Sequence, residues 1–414
     1  MTDAFVLNKM TNHLKRSVLF VLRIFFASII FSNLLQVTSY KNFIPYKRRH
    51  GNGTLTAIDN RTSDLFKILD DLPQNELFRT MSCGIMEQEL PDFRAPNRRV
   101  SEVKCLEHLW KMRFYDQLLL KKIRCKTGVE GAYVSFAIYR GKEVSTGKFA
   151  HTGAIGWQTD GEAWIFLCGA VMISDRFFLT AAHCSTANDT RVMNPSPKII
   201  RLGDKYILDS VEFGKTPTDV YIKNVIVPDN YRPPSKYYDI ALIELEDIIP
   251  FKVFTNPSCI WPYEGDELFG KGYESGWGVV ESDSKHQPEY QIDDVEVIDT
   301  NVCSEKLNEA LHVNTIQLPH QICSNYCNVN DTCKGDSGGP LMMPIINPYY
   351  TDFTVHYIVG IQSTSFGCDS PDNPNVYTKV SSFVNWIEDI VWPEDHYVNE
   401  ILSEKQFAKI YEGL

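Results

Sequence analysis

The chain has no surplus of positive charge. Lysine and arginine number 41 against 52 aspartate and glutamate, a formal net charge of -11. Nucleic acid and anionic membrane are therefore excluded as main partners, because long-range attraction would not bring them in. Basic residues gather only in short runs, Lys47-Arg48-Arg49 and Lys121-Lys122, the size of a solvated face or a processing site. An unbroken apolar stretch is missing too. Residues 17–39 are apolar behind Lys15 and Arg16, but Arg23 interrupts them, and a charge near mid-bilayer costs about 2.5–3.5 kcal/mol on insertion scales. The segment reads as a signal peptide cleaved near Ser39, with Val37 and Ser39 as the small residues before the cut. An uncleaved type II membrane anchor is the alternative, and only then would a membrane be a partner.

What is present suits a soluble globular protein: 43% hydrophobic and 22% charged residues in 414. That length can bury one large core or two ordinary ones. Eleven cysteines fit an oxidising, extracellular compartment. Sequons at Asn52, Asn60 and Asn188 are surface glycosylation candidates. Between Ser101 and Arg124, the spacing of Val103, Leu106, Leu109, Trp110, Leu118 and Ile123 predicts a helix. Tyr40 to about Arg99 is polar and weakly periodic, which predicts extended or partly disordered chain.

Cys333 to Pro340 read Cys-Lys-Gly-Asp-Ser-Gly-Gly-Pro. The N–H groups of Gly335 and Ser337 can converge on one point and hold a developing oxyanion. Gly335, Gly338 and Gly339 permit the tight backbone such a loop requires, and Asp336 can lock it once it meets a cation. A glycine-rich turn alone would be a mere connector, but two upstream segments supply partners. Thr180-Ala181-Ala182-His183-Cys184 sets a histidine among small residues, and Tyr238-Asp239-Ile240-Ala241-Leu242 sets an aspartate at the mouth of an apolar run. In a catalytic triad Ser337 is the nucleophile and His183 the general base, then acid. Asp239 fixes the imidazole tautomer and stabilises the imidazolium.

These segments, in the order His, Asp, Ser, resemble the trypsin/chymotrypsin-like serine proteases. The resemblance covers Ile138 to about Pro393, with support from Leu167-Cys168-Gly169-Ala170, Ser275-Gly276-Trp277-Gly278 and Val376-Tyr377-Thr378-Lys379-Val380. It implies an all-β fold, two six-stranded antiparallel β-barrels with the active site in the cleft between them, and a C-terminal helix. That helix matches Ser381 to Val391, where Phe383, Trp386, Ile387, Ile390 and Val391 follow the helical period and Pro393 ends it. The implied organisation is a signal segment 1–39, a pro-region and linker 40–137, a protease domain 138–393 and a tail 394–414. Ile401, Phe407, Ile410 and Tyr411 of the tail suit an amphipathic helix or disorder.

By the same resemblance Cys168 pairs with Cys184, Cys303 with Cys323, and Cys333 with Cys368. Cys259 looks like the cysteine that tethers the pro-region; Cys125 is its first candidate partner and Cys105 its second. Ser101 to Cys105, Ser-Glu-Val-Lys-Cys, resembles the linker of arthropod clip-domain proteases, but only Cys83 precedes it, so a complete clip domain is expected to be absent or lost. Cleavage before Ile138 would free an α-amino group to pair with Asp336, which implies a zymogen. Ala137 stands before that bond, so the activating protease is expected to prefer small or apolar residues, and Tyr139 and Arg140 replace small residues after it.

Asp331 matches the acid on the floor of the primary specificity pocket, which attracts Arg or Lys. Ser365 and Asn375 stand where glycines line the pocket walls, and Ser363 matches the residue whose carbonyl aligns substrate backbone. The Asn375 amide can reach Asp331, so the expected outcomes are cleavage after Arg or Lys at reduced rate, preference for smaller residues, or an occluded pocket. Asn330 completes a further sequon but neighbours that pocket and is expected to stay unmodified. Arg201-Leu202-Gly203-Asp204 begins a loop that binds calcium in some relatives, where Asp204, Asp209 and Glu212 could supply oxygens; solvated acids explain them as well, so no metal and no cofactor is expected. The implied partners are protein substrates, an activating protease and serpin-type inhibitors. The implied function is a secreted serine endopeptidase of an extracellular cascade; the alternative is a non-catalytic homologue that binds proteins.

Overall fold

The computed structural model describes residues 87–127, 151–160, 163–202, 207, 218–251, 255–264, 270–276, 291–311, 320–326, 337–345, 355–364, 374–393 and 401–403. Among the described residues the first elements are a short strand β1 (Glu87–Glu89) and a long helix α1 (Val100–Thr127). Next come β2 (Thr152–Gln158), β3 (Trp164–Met172), β4 (Phe177–Thr180), β5 (Ile199–Leu202), β6 (Thr218–Ile226) and β7 (Ala241–Leu245). These close on themselves in the order β2-β3-β4-β7-β6-β5, every pair antiparallel.

The rest comprises β8 (Cys259–Ile260), β9 (Gly270–Gly276), β10 (Gln291–Ile298), α2 (Thr300–Leu311), β11 (Gln321–Tyr326), β12 (Pro340–Ile345), β13 (Val355–Thr364), β14 (Asn375–Lys379), α3 (Val384–Val391) and β15 (Ile401–Ser403). Six strands run β12-β9-β10-β11-β14-β13 and close through β12–β13, while β8 adds a parallel strand to β13. The fold is two antiparallel six-stranded barrels. Closure leaves neither barrel an open edge.

The interior explains the order. Ile155, Ala170, Met172, Phe178, Leu179, Ile200, Leu242 and Ile243 are all buried in one cluster, and that cluster continues through Met342, Ile358 and Ile361 into α3. Val384, Ile387 and Val391 form the apolar face of α3, so this helix is a packing element.

Helix α1 is set by the same rule. Val103, Leu106, Leu109, Trp110, Phe114 and Leu118 recur at helical spacing and are buried together with Trp261, Val295, Tyr357 and Tyr377. At its start the Arg99 N–H donates to Glu102, half of a capping box. Glu388 of α3 accepts from the Arg99 guanidinium and from both the N–H and hydroxyl of Ser101. Cys105, in the second turn of α1, is disulfide-bonded to Cys259 of β8. This corrects the expected order of candidates: Cys105, not Cys125, holds Cys259. Cys125 lies about 30 Å further along the helix and is itself in a disulfide.

The tail also departs from expectation. Ile401 lies in a strand, β15, which pairs antiparallel with β1 through Glu87↔Ser403 and Glu89↔Ile401. Phe407, Ile410 and Tyr411 lie outside the described residues, as do Met1 to Ser39, Ile138 to Arg140, Asp204, Asp209 and Glu212. Among the described residues no helix is long and apolar enough to cross a membrane.

Candidate active site

Strands β4 and β7 are neighbours in the first barrel, with Thr180 opposite Ala241. Two short excursions leave them at the same end. After β4 the chain turns through a 3₁₀ segment, Ala182–Ser185, that carries His183. Before β7 it makes a tight turn at Asp239, closed by the Ile240 N–H donating to the Tyr238 carbonyl at 2.8 Å. Tyr238 holds a left-handed φ of 57°, an uncommon conformation for a bulky residue and one that surrounding packing must hold. Its ring packs against His320 and Phe383.

The two excursions meet. His183 Nδ1 lies 2.8 Å from Asp239 Oδ2, and the His183 backbone N–H donates to Oδ1 at 2.9 Å. The Asp239 side chain is 0% exposed, that of His183 23%. Ser363 donates its hydroxyl to the same Oδ2, and the Thr378 hydroxyl donates to the Asp239 carbonyl. Lys236 places its Nζ 3.7 Å from Oδ2. Burial pushes the Asp239 carboxyl up, but the hydrogen bonds and charge of His183 and the Ser363 hydroxyl outweigh it and hold it below its ordinary value. Asp239 is therefore an acceptor only. Nδ1 must carry the imidazole proton, which leaves Nε2 of the neutral ring free to accept one.

Ser363 reaches Asp239 because of a bulge. Gln362 pairs with Tyr377 and Thr364 with Val376, so Ser363 is an extra residue between them. A bulge re-aims a side chain that regular pairing would direct elsewhere.

Ser337 sits just before β12, clamped from both barrels. Its carbonyl accepts from the Gly169 N–H at 2.8 Å, and the Gly338 N–H donates to the Gln362 carbonyl at 2.9 Å. The Cys184 sulfur, which carries no proton in its disulfide, lies 3.6 Å from the Ser337 carbonyl. The backbone of Ser337 thus abuts the residue next to His183. Gly338 has a φ of +79°, and a Cβ there would fall 2.2 Å from Thr180 Oγ1 and 2.7 Å from the Gly169 carbonyl. No other residue fits.

Cys168 is joined to Cys184, and Cys303 to Cys323. Cys168, His183 and Cys184 offer atoms within 4.8 Å of one another, but the two sulfurs are oxidised and are not thiolate ligands. Gly335, Asp336, Asp331, Ser365, Cys333 and Cys368 lie outside the described residues. Asn375 is 2% exposed, and its amide is directed at Glu274 Oε2, 3.4 Å away. Glu274 was passed over in the sequence, although it directly precedes the Ser275-Gly276-Trp277-Gly278 segment. A charged residue beside such small, buried neighbours was the available signal.

Two barrels that bring a histidine–aspartate pair from one to a clamped serine from the other define a class, the trypsin-like proteins. A family model for trypsin matches residues 138–387, more than half of this chain, and the chain belongs to that family. Serine protease Hayan of Drosophila melanogaster is 32% identical over 274 residues, 64% of this chain but only 41% of its own length. Serine protease snk of the same fly is 29% identical over 317 residues, covering 74% of this chain and 68% of the relative. CLIP domain-containing serine protease C9 of Anopheles gambiae is 32% identical over 271 residues, with 62% and 68% covered. A solved structure of mouse neuropsin, a serine protease, matches at 25% identity with a TM-score of 0.45, over 59% of this chain and 96% of that one.

Proposed function

We propose that this chain is a secreted serine endopeptidase, made as a zymogen, that cleaves protein substrates after Arg or Lys in an extracellular cascade. The observation that carries the reading is the doubly hydrogen-bonded, fully buried Asp239 behind His183. In the proposed reaction the Ser337 hydroxyl attacks the scissile carbonyl carbon while His183 Nε2 takes its proton. Asp239, ionised, stabilises the imidazolium that results. The N–H groups of Gly335 and Ser337 hold the negative charge on the former carbonyl oxygen. His183 then hands its proton to the departing amine, and the C–N bond breaks. Water, deprotonated by His183, attacks the acyl-Ser337 ester; the C–Oγ bond breaks, His183 returns the proton to Ser337 Oγ, and the carboxylic acid product leaves. Secretion is supported by the disulfides Cys105–Cys259, Cys168–Cys184 and Cys303–Cys323, which persist in oxidising surroundings.

The zymogen reading rests on cleavage before Ile138, whose new amine would pair with Asp336 and order the oxyanion loop. The activator is proposed to be a protease that accepts Ala137, and serpin-type proteins are proposed as inhibitors. A fluorophosphonate tests the reaction directly. The processed protein should be labelled stoichiometrically at Ser337, and Ser337→Ala should not be labelled at all. A processed form that starts at Ile138 and resists labelling would leave only the non-catalytic reading.

A further inference from the structure

Of the described non-glycine residues, Asn97 and Tyr238 have a left-handed backbone, and Tyr238 immediately precedes Asp239. A short polar side chain such as asparagine tolerates that conformation by bonding locally, and a tyrosine has no such compensation. Here the ring supplies it. Tyr238 packs against His320 with centroids 5.3 Å apart and edge-on against Phe383 at 6.1 Å, and those two rings meet each other at 5.7 Å. All three separations lie in the attractive range for ring pairs, so the rings form a closed triangle. Packing seats the His320 ring, because its buried Nδ1 has no hydrogen-bond partner among the described residues. The His320 carbonyl accepts from the Lys379 N–H at 2.9 Å, which fixes it beside the end of β14.

The walls of this triangle come from another part of the chain than Tyr238. Tyr238 leads into β7 of the first barrel, His320 leads into β11 of the second, and Phe383 ends the 3₁₀ segment after β14. The same region holds the backbone of the turn. The Gln321 amide donates to the Lys236 carbonyl at 3.5 Å and the Thr378 hydroxyl to the Asp239 carbonyl at 2.8 Å. Gln321 and Thr378 stand opposite one another in the β11–β14 pair. The turn that carries Asp239 thus belongs to one barrel by sequence and is gripped by the other. We propose that Tyr238 is a positioning residue: its ring, caught between His320 and Phe383, locks the left-handed turn that aims the Asp239 carboxylate at His183. Without the ring the turn is held by its backbone alone, and the carboxylate swings relative to the imidazole. The effect on turnover rests on the endopeptidase reading; the alignment itself does not.

An imidazole N–H donated to a buried carboxylate is strongly hydrogen-bonded and resonates well downfield of the backbone amides. Proton NMR of the unprocessed full chain therefore follows the His183 Nδ1 proton without any turnover, with His183→Gln as the assignment control. Tyr238→Gly keeps the left-handed turn available and removes the ring. Its downfield resonance should broaden or vanish, whereas Tyr238→Phe, which keeps the ring, should retain it. A Tyr238→Gly resonance as sharp as the parent's and at the same position would overturn the proposal. Should Tyr238→Gly fail to unfold cooperatively, His320→Ala decides. It removes one wall of the triangle and should broaden the resonance, and an unchanged resonance overturns the proposal. After processing, kcat for an arginyl ester should fall about 10- to 100-fold in Tyr238→Gly with KM within about 2-fold. Loss of the resonance with kcat unchanged would uphold the positioning of Asp239 and count against the catalytic reading instead.

Discussion

Asp239 is where the site's chemistry concentrates. It is fully buried, and among the described residues the hydrogen bonds to its carboxylate come from residues held by backbone structure, the His183 turn and the Ser363 bulge, with the Lys236 ammonium further off at 3.7 Å. Removing one donor should therefore be felt in both stability and titration. Ser363→Ala leaves a buried carboxylate oxygen short of a hydrogen bond, at about 1–3 kcal/mol. It also removes one of the interactions that lower the Asp239 pKa, so that pKa rises, and the part of the stability that Asp239 contributes above its unfolded pKa shrinks. Urea unfolding of Ser363→Ala at neutral pH with an unchanged midpoint would show that the Ser363 hydroxyl does not act on Asp239. The pairing of His183 with Asp239 was legible in the sequence, because the proposed chemistry needs those residue types, and Ser337, inside narrow local motifs. The contacts of the Ser363 hydroxyl and of Glu274 were not. They depend on a bulge and on strand register, which join residues far apart in sequence and leave no local pattern.

At the scale of elements, α1 and α3 were visible as apolar periodicities, and the burial of Val103, Leu106 and Trp110 matches the spacing. The rotation and direction of α1 against the second barrel were not visible, which is why the partner of Cys259 was misassigned. Helical spacing names a face but not the part of the helix that meets β8. Strand β15 was missed because so short a strand owes its existence to β1, and local propensity says nothing of a distant partner. The anchor of α1 is Glu388, only 12% exposed, which accepts from Arg99 and Ser101. Glu388→Ala should cost about 1–3 kcal/mol and speed amide exchange in the first turns of α1 while the barrel strands stay protected. Unchanged exchange at residues 100–106 would show that burial and the Cys105–Cys259 disulfide seat the helix without Glu388.

For the whole molecule, burial of neutral imidazoles couples the fold to pH. His151, packed beside Met342 and His356, has its pKa lowered by burial from 6.5 to about 3. His108 is lowered well below its ordinary value by burial and then by Lys111 and Lys104. The unfolded chain takes up these protons below about pH 6.5 while the folded chain refuses them, so stability falls as pH drops through that window. Each histidine contributes about 1.4 kcal/mol per pH unit. Asp239, whose folded pKa is depressed from 3.8, adds a further loss only below about pH 4. Urea unfolding of Ser337→Ala should show a lower midpoint at pH 5 than at pH 7, and His151→Phe should flatten the difference. Equal midpoints at both pH values would mean that these rings are reached by water.

The central claim is that one imidazole is held by Asp239 so that its far nitrogen can take a proton from Ser337. Asp239→Asn tests it most directly, because an amide donates to Nδ1 and so places the ring proton on Nε2. Steady-state hydrolysis of an arginyl ester by the processed Asp239→Asn protein, at neutral pH, should show kcat lower by on the order of 10⁴-fold with the fold intact. A kcat within about tenfold of the parent, a difference of only about 1.4 kcal/mol in the barrier, would contradict the account.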